Sequence, residues 1–227
     1  MMSKTLESQN LPVELKELVI TGNEEISSGV HLISWKRTHN FNPGQVVKIA
    51  ADLNMPPRIY SICSGNDEPE IRVLFNVKEE GLLTPWLAGV IPGMKIWATK
   101  PYGSFSDGKK PAWWIATGTG IAPFYSMFRS GNSENKTLIH GVRKLDQFYF
   151  EDELEWAMGE RYIRCCTHEQ SCNVFPGRIT NYLEAIKELP TDINYYLCGK
   201  ALMVVEVRDL LISRGVPYEN ILAEIYF

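Results

Sequence analysis

The sequence predicts two domains: an N-terminal antiparallel six-stranded β-barrel and a C-terminal α/β domain with a five-stranded parallel sheet. Three observations carry this. From Val13 to about Phe105, short runs rich in β-branched and aromatic residues alternate with turn residues, the spacing of a barrel or sandwich. Beyond Pro111, apolar runs alternate with helical stretches, the rhythm of a parallel sheet with right-handed crossovers. Between them lie Pro101-Tyr102-Gly103-Ser104-Phe105 and Asp107-Gly108-Lys109-Lys110-Pro111. This turn-rich, charged tract sets expected boundaries of 1–108 and 109–227.

In the first domain the strands are expected at Leu15–Ile20, Val30–Trp35, Val46–Ile49, Arg58–Ser61, Ile71–Val77 and Met94–Ala98, with Thr21-Gly22-Asn23 as a turn after the first. One short helix interrupts them at Thr84-Pro85-Trp86-Leu87-Ala88, where Thr84 is the expected N-cap and Pro85 the first helical residue. In the second domain the strands are Ala112–Ala116, Thr137–His140, Arg161–Cys165, Ile193–Leu197 and Ile221–Ile225. Helices over Ala122–Phe128, Glu151–Met158, Thr180–Lys187 and Ala201–Arg214 connect them.

Composition excludes several classes. The 227 residues carry 44% hydrophobic and 22% charged side chains, as an ordinary globular protein does. A net charge of −4 without a Lys/Arg block argues against a nucleic-acid face. The polar stretch Met1–Asn10 lacks the apolar core of a signal peptide, and no run is long enough for a membrane helix. Five cysteines, an odd number, argue for a reducing cytoplasm rather than a disulfide framework. Cys165, Cys166, His168 and Cys172 have no second half-site with zinc spacing. On a strand Cys165 and Cys166 would face opposite ways, one packed and one at the surface.

Three stretches could carry chemistry. On the strand Arg58-Ile59-Tyr60-Ser61, alternation puts Arg58 and Tyr60 on one face. A guanidinium beside a phenol suits a ligand with phosphate at one end and a flat ring at the other, although an ordinary cross-strand pair would read the same. Gly81-Leu82-Leu83-Thr84 places a glycine and a hydroxyl before free helix N–H groups, either a phosphate site or a capped surface helix. Thr117-Gly118-Thr119-Gly120-Ile121-Ala122-Pro123 is a glycine-rich strand-to-helix turn suited to a pyrophosphate, although it lacks the third glycine of the dinucleotide fingerprint. Cys198-Gly199 ends another strand. Arg143, Arg164 and Arg178 stand near strand ends, with Arg143 and Arg178 the candidate clamps for an extra phosphate.

These stretches occur together with Phe41-Asn42-Pro43-Gly44-Gln45, His140-Gly141-Val142-Arg143 and Glu224-Ile225-Tyr226-Phe227. In this order the chain resembles the ferredoxin–NADP+ reductase family, in particular its compact bacterial flavodoxin/ferredoxin reductases, from Leu15 to Phe227. The resemblance implies FAD, with Arg58 on its pyrophosphate, Tyr60 stacked on the ring system, Ser61 near flavin N5 and Gly81, Leu82, Leu83 and Thr84 on the phosphates. It implies NADP(H) at Thr117, Gly118, Thr119, Gly120 and Pro123, with Cys198 and Gly199 near the nicotinamide. Ser61, Cys198, Glu224 and Tyr226 would surround hydride transfer, Tyr226 covering the flavin and yielding it to nicotinamide, and Phe227 would be the terminal aromatic.

Where NADPH-using members carry Ser/Thr-Arg-Glu, this chain has Thr167-His168-Glu169. A mostly neutral imidazole holds a 2′-phosphate less well than a guanidinium. With Arg143 and Arg178 in place, NADP(H) is expected ahead of NAD(H), the more so below neutral pH. The implied activity is hydride exchange between NADP(H) and FAD, with single electrons passing to ferredoxin or flavodoxin, by a cytoplasmic monomer. The same domains serve as reductase components of oxygenases or electron-transfer subunits of larger complexes, and a non-catalytic flavin sensor is a third reading.

Overall fold

The computed structural model describes residues 14–226, the side chain of Tyr226 excepted. Two six-stranded sheets dominate it. The first comprises β1 (Lys16–Ser27), β2 (Val30–Lys36), β3 (Val46–Ala50), β4 (Arg58–Ser61), β5 (Glu70–Asn76) and β6 (Lys95–Ala98), in the order β4-β3-β6-β1-β2-β5. All its ladders are antiparallel. A bridge between Ile62 and Val73 brings the two ends of that order together, closing the barrel. Inward side chains such as Ile33, Trp35, Ile49, Val73 and Ile96 fill it and are almost fully buried.

The turn expected at Thr21-Gly22-Asn23 is instead the middle of β1. Lys16–Val19 pair with β6, Ile20–Ser27 pair with β2, and the register shifts between Ile20 and Gly22. A glycine there marks a bulge that lets one strand serve two partners around a barrel corner. Asn23, freed from turn duty, sends its amide to the carbonyls of Leu87, Ala88 and Val90 at 3.2, 3.0 and 2.8 Å. It thereby caps the C-terminal end of the barrel helix α1 (Leu83–Ala88).

The second sheet is parallel: β7 (Ala112–Thr117), β8 (Lys136–Val142), β9 (Tyr162–Cys166), β10 (Val174–Pro176), β11 (Asn194–Lys200) and β12 (Ile221–Tyr226), in the order β10-β9-β8-β7-β11-β12. The expected five strands are therefore six. The extra edge strand β10 has three residues and ends at Pro176, too short to alternate and tolerant of proline because it lies at an edge. Helices α2 (Ala122–Arg129) and α3 (Glu151–Met158) cover one face, and α4 (Ile179–Ala185) and α5 (Ala201–Ser213) the other. With both faces covered, Cys165 and Cys166 are both buried, at 0% and 1% exposure, so the expected surface thiol of that pair is not there.

One apolar cluster crosses the seam: Val30, Cys63 and Leu74 of the barrel join Trp114, Phe124 and Met127 of the α/β domain. Beside it, Asp107 accepts from the Trp114 indole at 2.7 Å and pairs with Lys136 at 2.9 Å, their side chains 3% and 0% exposed. The Lys136 ammonium also reaches the carbonyls of Gly108 and Lys110. The charged linking tract is thus anchored to the foot of β8. Among the described residues, no helix is long and apolar enough to cross a membrane.

Candidate functional site

Sequential strands of the second sheet run from β7 towards β10 on one side, and β11 and β12 lie on the other. The direction of winding therefore reverses between β7 and β11, and ligands of doubly wound sheets bind at the carboxyl ends beside such a point. The two turns there are Thr117–Gly120 and Cys198–Lys200. They pack backbone to backbone. A Cβ on Gly120 would lie 2.4 Å from the Cys198 carbonyl oxygen, and one on Gly199 would lie 2.2 Å from Thr117 Oγ1. Gly118 differs: its φ is +53°, and nothing within 4 Å would meet a side chain there. Gly120 and Gly199 are needed for packing, while Gly118 supplies a left-handed turn with an open side.

Thr117 Oγ1 accepts from the Lys200 amide at 3.3 Å, and Pro123 sits in the first turn of α2, where its missing N–H costs nothing. The Gly118 carbonyl accepts from His140 Nε2 at 3.2 Å. Burial holds the His140 imidazole well below its ordinary value, at about 4.

A side-chain contact joins the barrel to this point. Ser61 Oγ donates to Glu224 Oε2 at 3.0 Å. Glu224 is the direct neighbour of Cys198 in the β11–β12 register, which links Ser61, Glu224, Cys198 and Gly120 in one row. Burial raises the Glu224 carboxyl above the usual carboxylate range, and the Ser61 hydrogen bond opposes that shift. Cys198 is fully buried among the apolar side chains of the seam.

On β4, Arg58 is exposed and Tyr60 half-buried. Burial pushes the Tyr60 phenol up to about 12, against the nearby Arg58 charge. Its ring lies edge-on to Phe75 at 6.2 Å. The β3–β4 register runs unbroken from Arg58 to Ser61. Ser61 reaches Glu224 without a bulge at Tyr60, because alternation turns it towards the second domain. Arg58 and Tyr60 share a face, and Ser61 stands at the end of the strand on the other.

The loop expected to bind phosphate is built differently. Thr84 lies inside α1; the cap position falls to Leu82, which makes no side-chain cap. Thr84 Oγ1 accepts instead from the Lys78 amide at 2.8 Å, closing the loop that carries Gly81, Leu82 and Leu83.

At the far side of the glycine turn, the His168 amide donates to the Arg143 carbonyl at 2.9 Å, and the Thr167 amide to Val142 at 3.2 Å. The Gly177 amide donates to the Cys166 carbonyl at 2.8 Å, so Arg143, Thr167, His168 and Arg178 stand on adjoining loops. Arg178 lies 3.7 Å from Glu206. Arg164 is no clamp: it is buried and paired with Glu151 and Glu155. Phe227 and the side chain of Tyr226 lie outside the described residues; the Tyr226 backbone pairs with Lys200.

Three residues of this region escaped the sequence reading. Lys200 follows Gly199, and its ammonium is held below the ordinary value, first by burial, then by the charges of Arg143 and Lys78. Three cations from three loops thus share one field. Tyr102 bridges to Val46, the β3 residue that also pairs with Ser61, and the Glu224 charge adds to the burial that raises its phenol. His140 belongs to a motif with no role assigned to it. A basic residue straight after a strand-ending glycine was the available signal for Lys200.

The barrel and the doubly wound sheet meet at the Ser61–Glu224 contact. Residues 114–209 match the family model described as oxidoreductase NAD-binding domain. The chain is 28% identical to the toluate 1,2-dioxygenase electron transfer component of Pseudomonas putida, over 79% of this chain and 57% of that one. It is 29% identical to a ferredoxin–NADP reductase B of Sorangium cellulosum, over 82% of this chain and 85% of that one. It superposes on a ferredoxin NADP+ reductase of Neisseria gonorrhoeae, solved with FAD and NADP, with a TM-score of 0.84 at 21% identity, covering 94% and 99% of the two chains. That last likeness concerns the fold. The chain spans 57% and 52% of the first relatives it matches. In sequence and fold the chain is similar to oxidoreductases of the ferredoxin–NADP reductase kind.

Proposed function

We propose that this chain is an FAD-dependent reductase that takes hydride from NADPH, with NADH the poorer donor, and passes electrons singly to a ferredoxin or flavodoxin, as in the compact bacterial members of the family. The observation that carries it is the row Ser61–Glu224–Cys198–Gly120, which joins the end of the ring-binding strand to the nucleotide turn.

FAD, when bound, accepts two electrons as hydride and releases them one at a time. The residues fit that group. Arg58 offers a permanent charge to a diphosphate, and Tyr60 offers a half-buried ring on the same face. Ser61 and Glu224 stand where that strand ends, so the hydroxyl and carboxyl orient the reacting edge. Glu224 is half-buried there, which raises its carboxyl pKa. Gly118 and Thr119 receive the nucleotide's diphosphate through backbone N–H groups, and Lys200 adds charge at the same turn. Buried Cys198 closes the floor beneath the nicotinamide. Positioning is the main contribution of these groups. Arg143, His168 and Arg178 hold the 2′-phosphate, more strongly as His168 gains its proton.

Anaerobic titration of the purified protein with NADPH and then NADH tests this. Stoichiometric bleaching of a bound flavin, with the higher kcat/KM for NADPH, is expected; a colourless protein after FAD supplementation would overturn the proposal. A second reading, the reductase component of an oxygenase, is supported by the toluate dioxygenase relative and by His168 in place of arginine. A higher kcat/KM with NADH at every pH favours it.

A further inference from the structure

His140 lies at 0% exposure under the nucleotide turn, ringed by Phe148 edge-on at 5.5 Å and by Tyr149 and Tyr162 at 6.5 and 6.4 Å. Both its nitrogens are engaged, Nε2 with the Gly118 carbonyl at 3.2 Å and Nδ1 with the Tyr162 hydroxyl at 3.2 Å. A carbonyl only accepts, so Nε2 carries the proton, and Nδ1 then accepts from the Tyr162 O–H. The tautomer is thereby fixed from β9, two strands away from the turn it serves.

What the bond does follows from peptide geometry. The Gly118 carbonyl and the Thr119 N–H belong to one planar trans unit and point in opposite directions. Drawing the carbonyl inward to His140 drives the Thr119 N–H outward. The turn has open space at Gly118, where a Cβ would meet nothing within 4 Å. A glycine at φ +53° has other backbone conformations within reach, since the penalty that confines other residues is missing. The buried donor, together with the 3-10 turn over Gly118–Ile121, holds one of them.

We infer that His140 is a positioning residue which, through the Gly118 carbonyl, aims the Thr119 amide at an anionic group, the diphosphate of a dinucleotide. The inference rests on the nucleotide reading of this turn. An imidazole held neutral by burial keeps its single N–H donor on the Gly118 carbonyl. Phenylalanine would fill the same aromatic cage, so packing alone does not require a donor here.

Two substitutions separate the bond from the bulk. His140→Phe keeps the volume and loses the donor; His140→Gln keeps an N–H near the Nε2 position. Dissociation constants for NADP+ and NAD+, the limiting rate of flavin reduction and the 1H–15N signal of Thr119 would be measured on the FAD-loaded protein. His140→Phe is expected to weaken both nucleotides about ten-fold, the worth of one hydrogen bond, with the limiting rate within about two-fold of wild type. His140→Gln should recover most of the affinity, and the Thr119 amide should shift in the first variant more than in the second. Unchanged affinity in His140→Phe, or equal losses in both variants, would overturn the inference. If His140→Phe does not fold, Tyr162→Phe, which removes only the hydroxyl that fixes the tautomer, should weaken binding in the same direction by about two- to three-fold; no change there would also overturn it. If wild-type protein binds neither nucleotide, the nucleotide reading fails, and the Thr119 signal still shows whether His140 sets that amide.

Discussion

The barrel end and the switch point of the sheet meet at Ser61 and Glu224 but are built differently. The barrel offers side chains: Arg58 and Tyr60 project from a regular ladder, and the backbone beneath them is ordinary antiparallel strand. The sheet offers backbone: Thr117–Gly120 and Cys198–Lys200 press together so closely that two glycines cannot bear a side chain. A side-chain site can lose one group and keep its shape. A backbone-built turn keeps its shape through supporting residues such as His140 and Gly199.

The largest expected effect breaks the sheet half. Gly120→Ala would set a methyl 2.4 Å from the Cys198 carbonyl oxygen. Both partners there are backbone, so the turns must part. A loss of about 2–4 kcal/mol in denaturant unfolding is expected, along with loss of nucleotide binding. Gly118→Ala meets no atom but is held at φ +53°, and should cost only about 1–2 kcal/mol. Equal costs for the two would refute the division of labour between these glycines.

The seam comes next. Ser61→Ala removes the hydrogen bond to the Glu224 carboxylate, and such bonds are worth about 1.5–3 kcal/mol. The limiting rate of flavin reduction should fall about 10- to 100-fold, with nucleotide affinity unchanged. A weakened nucleotide constant at an unchanged rate would move Ser61 out of the reacting centre.

Of opposite sign to each other are the pH effects of buried His140 and half-buried Glu224. The His140 pKa drops from 6.5 to about 4 on folding. Between those values the unfolded chain binds more protons, so stability present above pH 6.5 is lost as pH falls through about 4. Fully developed, that is roughly 3 kcal/mol. Glu224 is raised instead: its contribution is present below the unfolded carboxyl value and lost as pH rises through the folded one. Glu224→Gln should therefore raise the Tm at neutral pH while slowing reduction. His140→Gln should flatten the acid limb of the stability curve; a limb unchanged by that substitution would show that other groups set it.

Legibility in the sequence follows the same contrast. Arg58, Tyr60 and Ser61 could be read because alternation on a strand assigns faces from residue order alone. The glycines of 118–120 marked a turn, but their separate duties depend on β11, which is distant in sequence. Gly22 read as a turn because a bulge and a turn use the same residue, and only pairing partners tell them apart. Thr84 read as a cap because Lys78, which occupies its oxygen, precedes the helix by several residues. The edge strand β10 was too short for any period. His140 stood in plain sight within His140-Gly141-Val142-Arg143, but its role is a bond to a carbonyl on another strand, and sequence spacing does not encode that.

Under the proposed function, nucleotide binding rests on the sheet half and the reacting edge on the barrel seam. Stopped-flow reduction of the FAD-loaded protein by NADPH, in wild type, Ser61→Ala and His140→Phe, measures both at once. A lower limiting rate at unchanged affinity in Ser61→Ala, and weaker affinity at an unchanged limiting rate in His140→Phe, is the predicted result. The same parameter moving in both variants would contradict it.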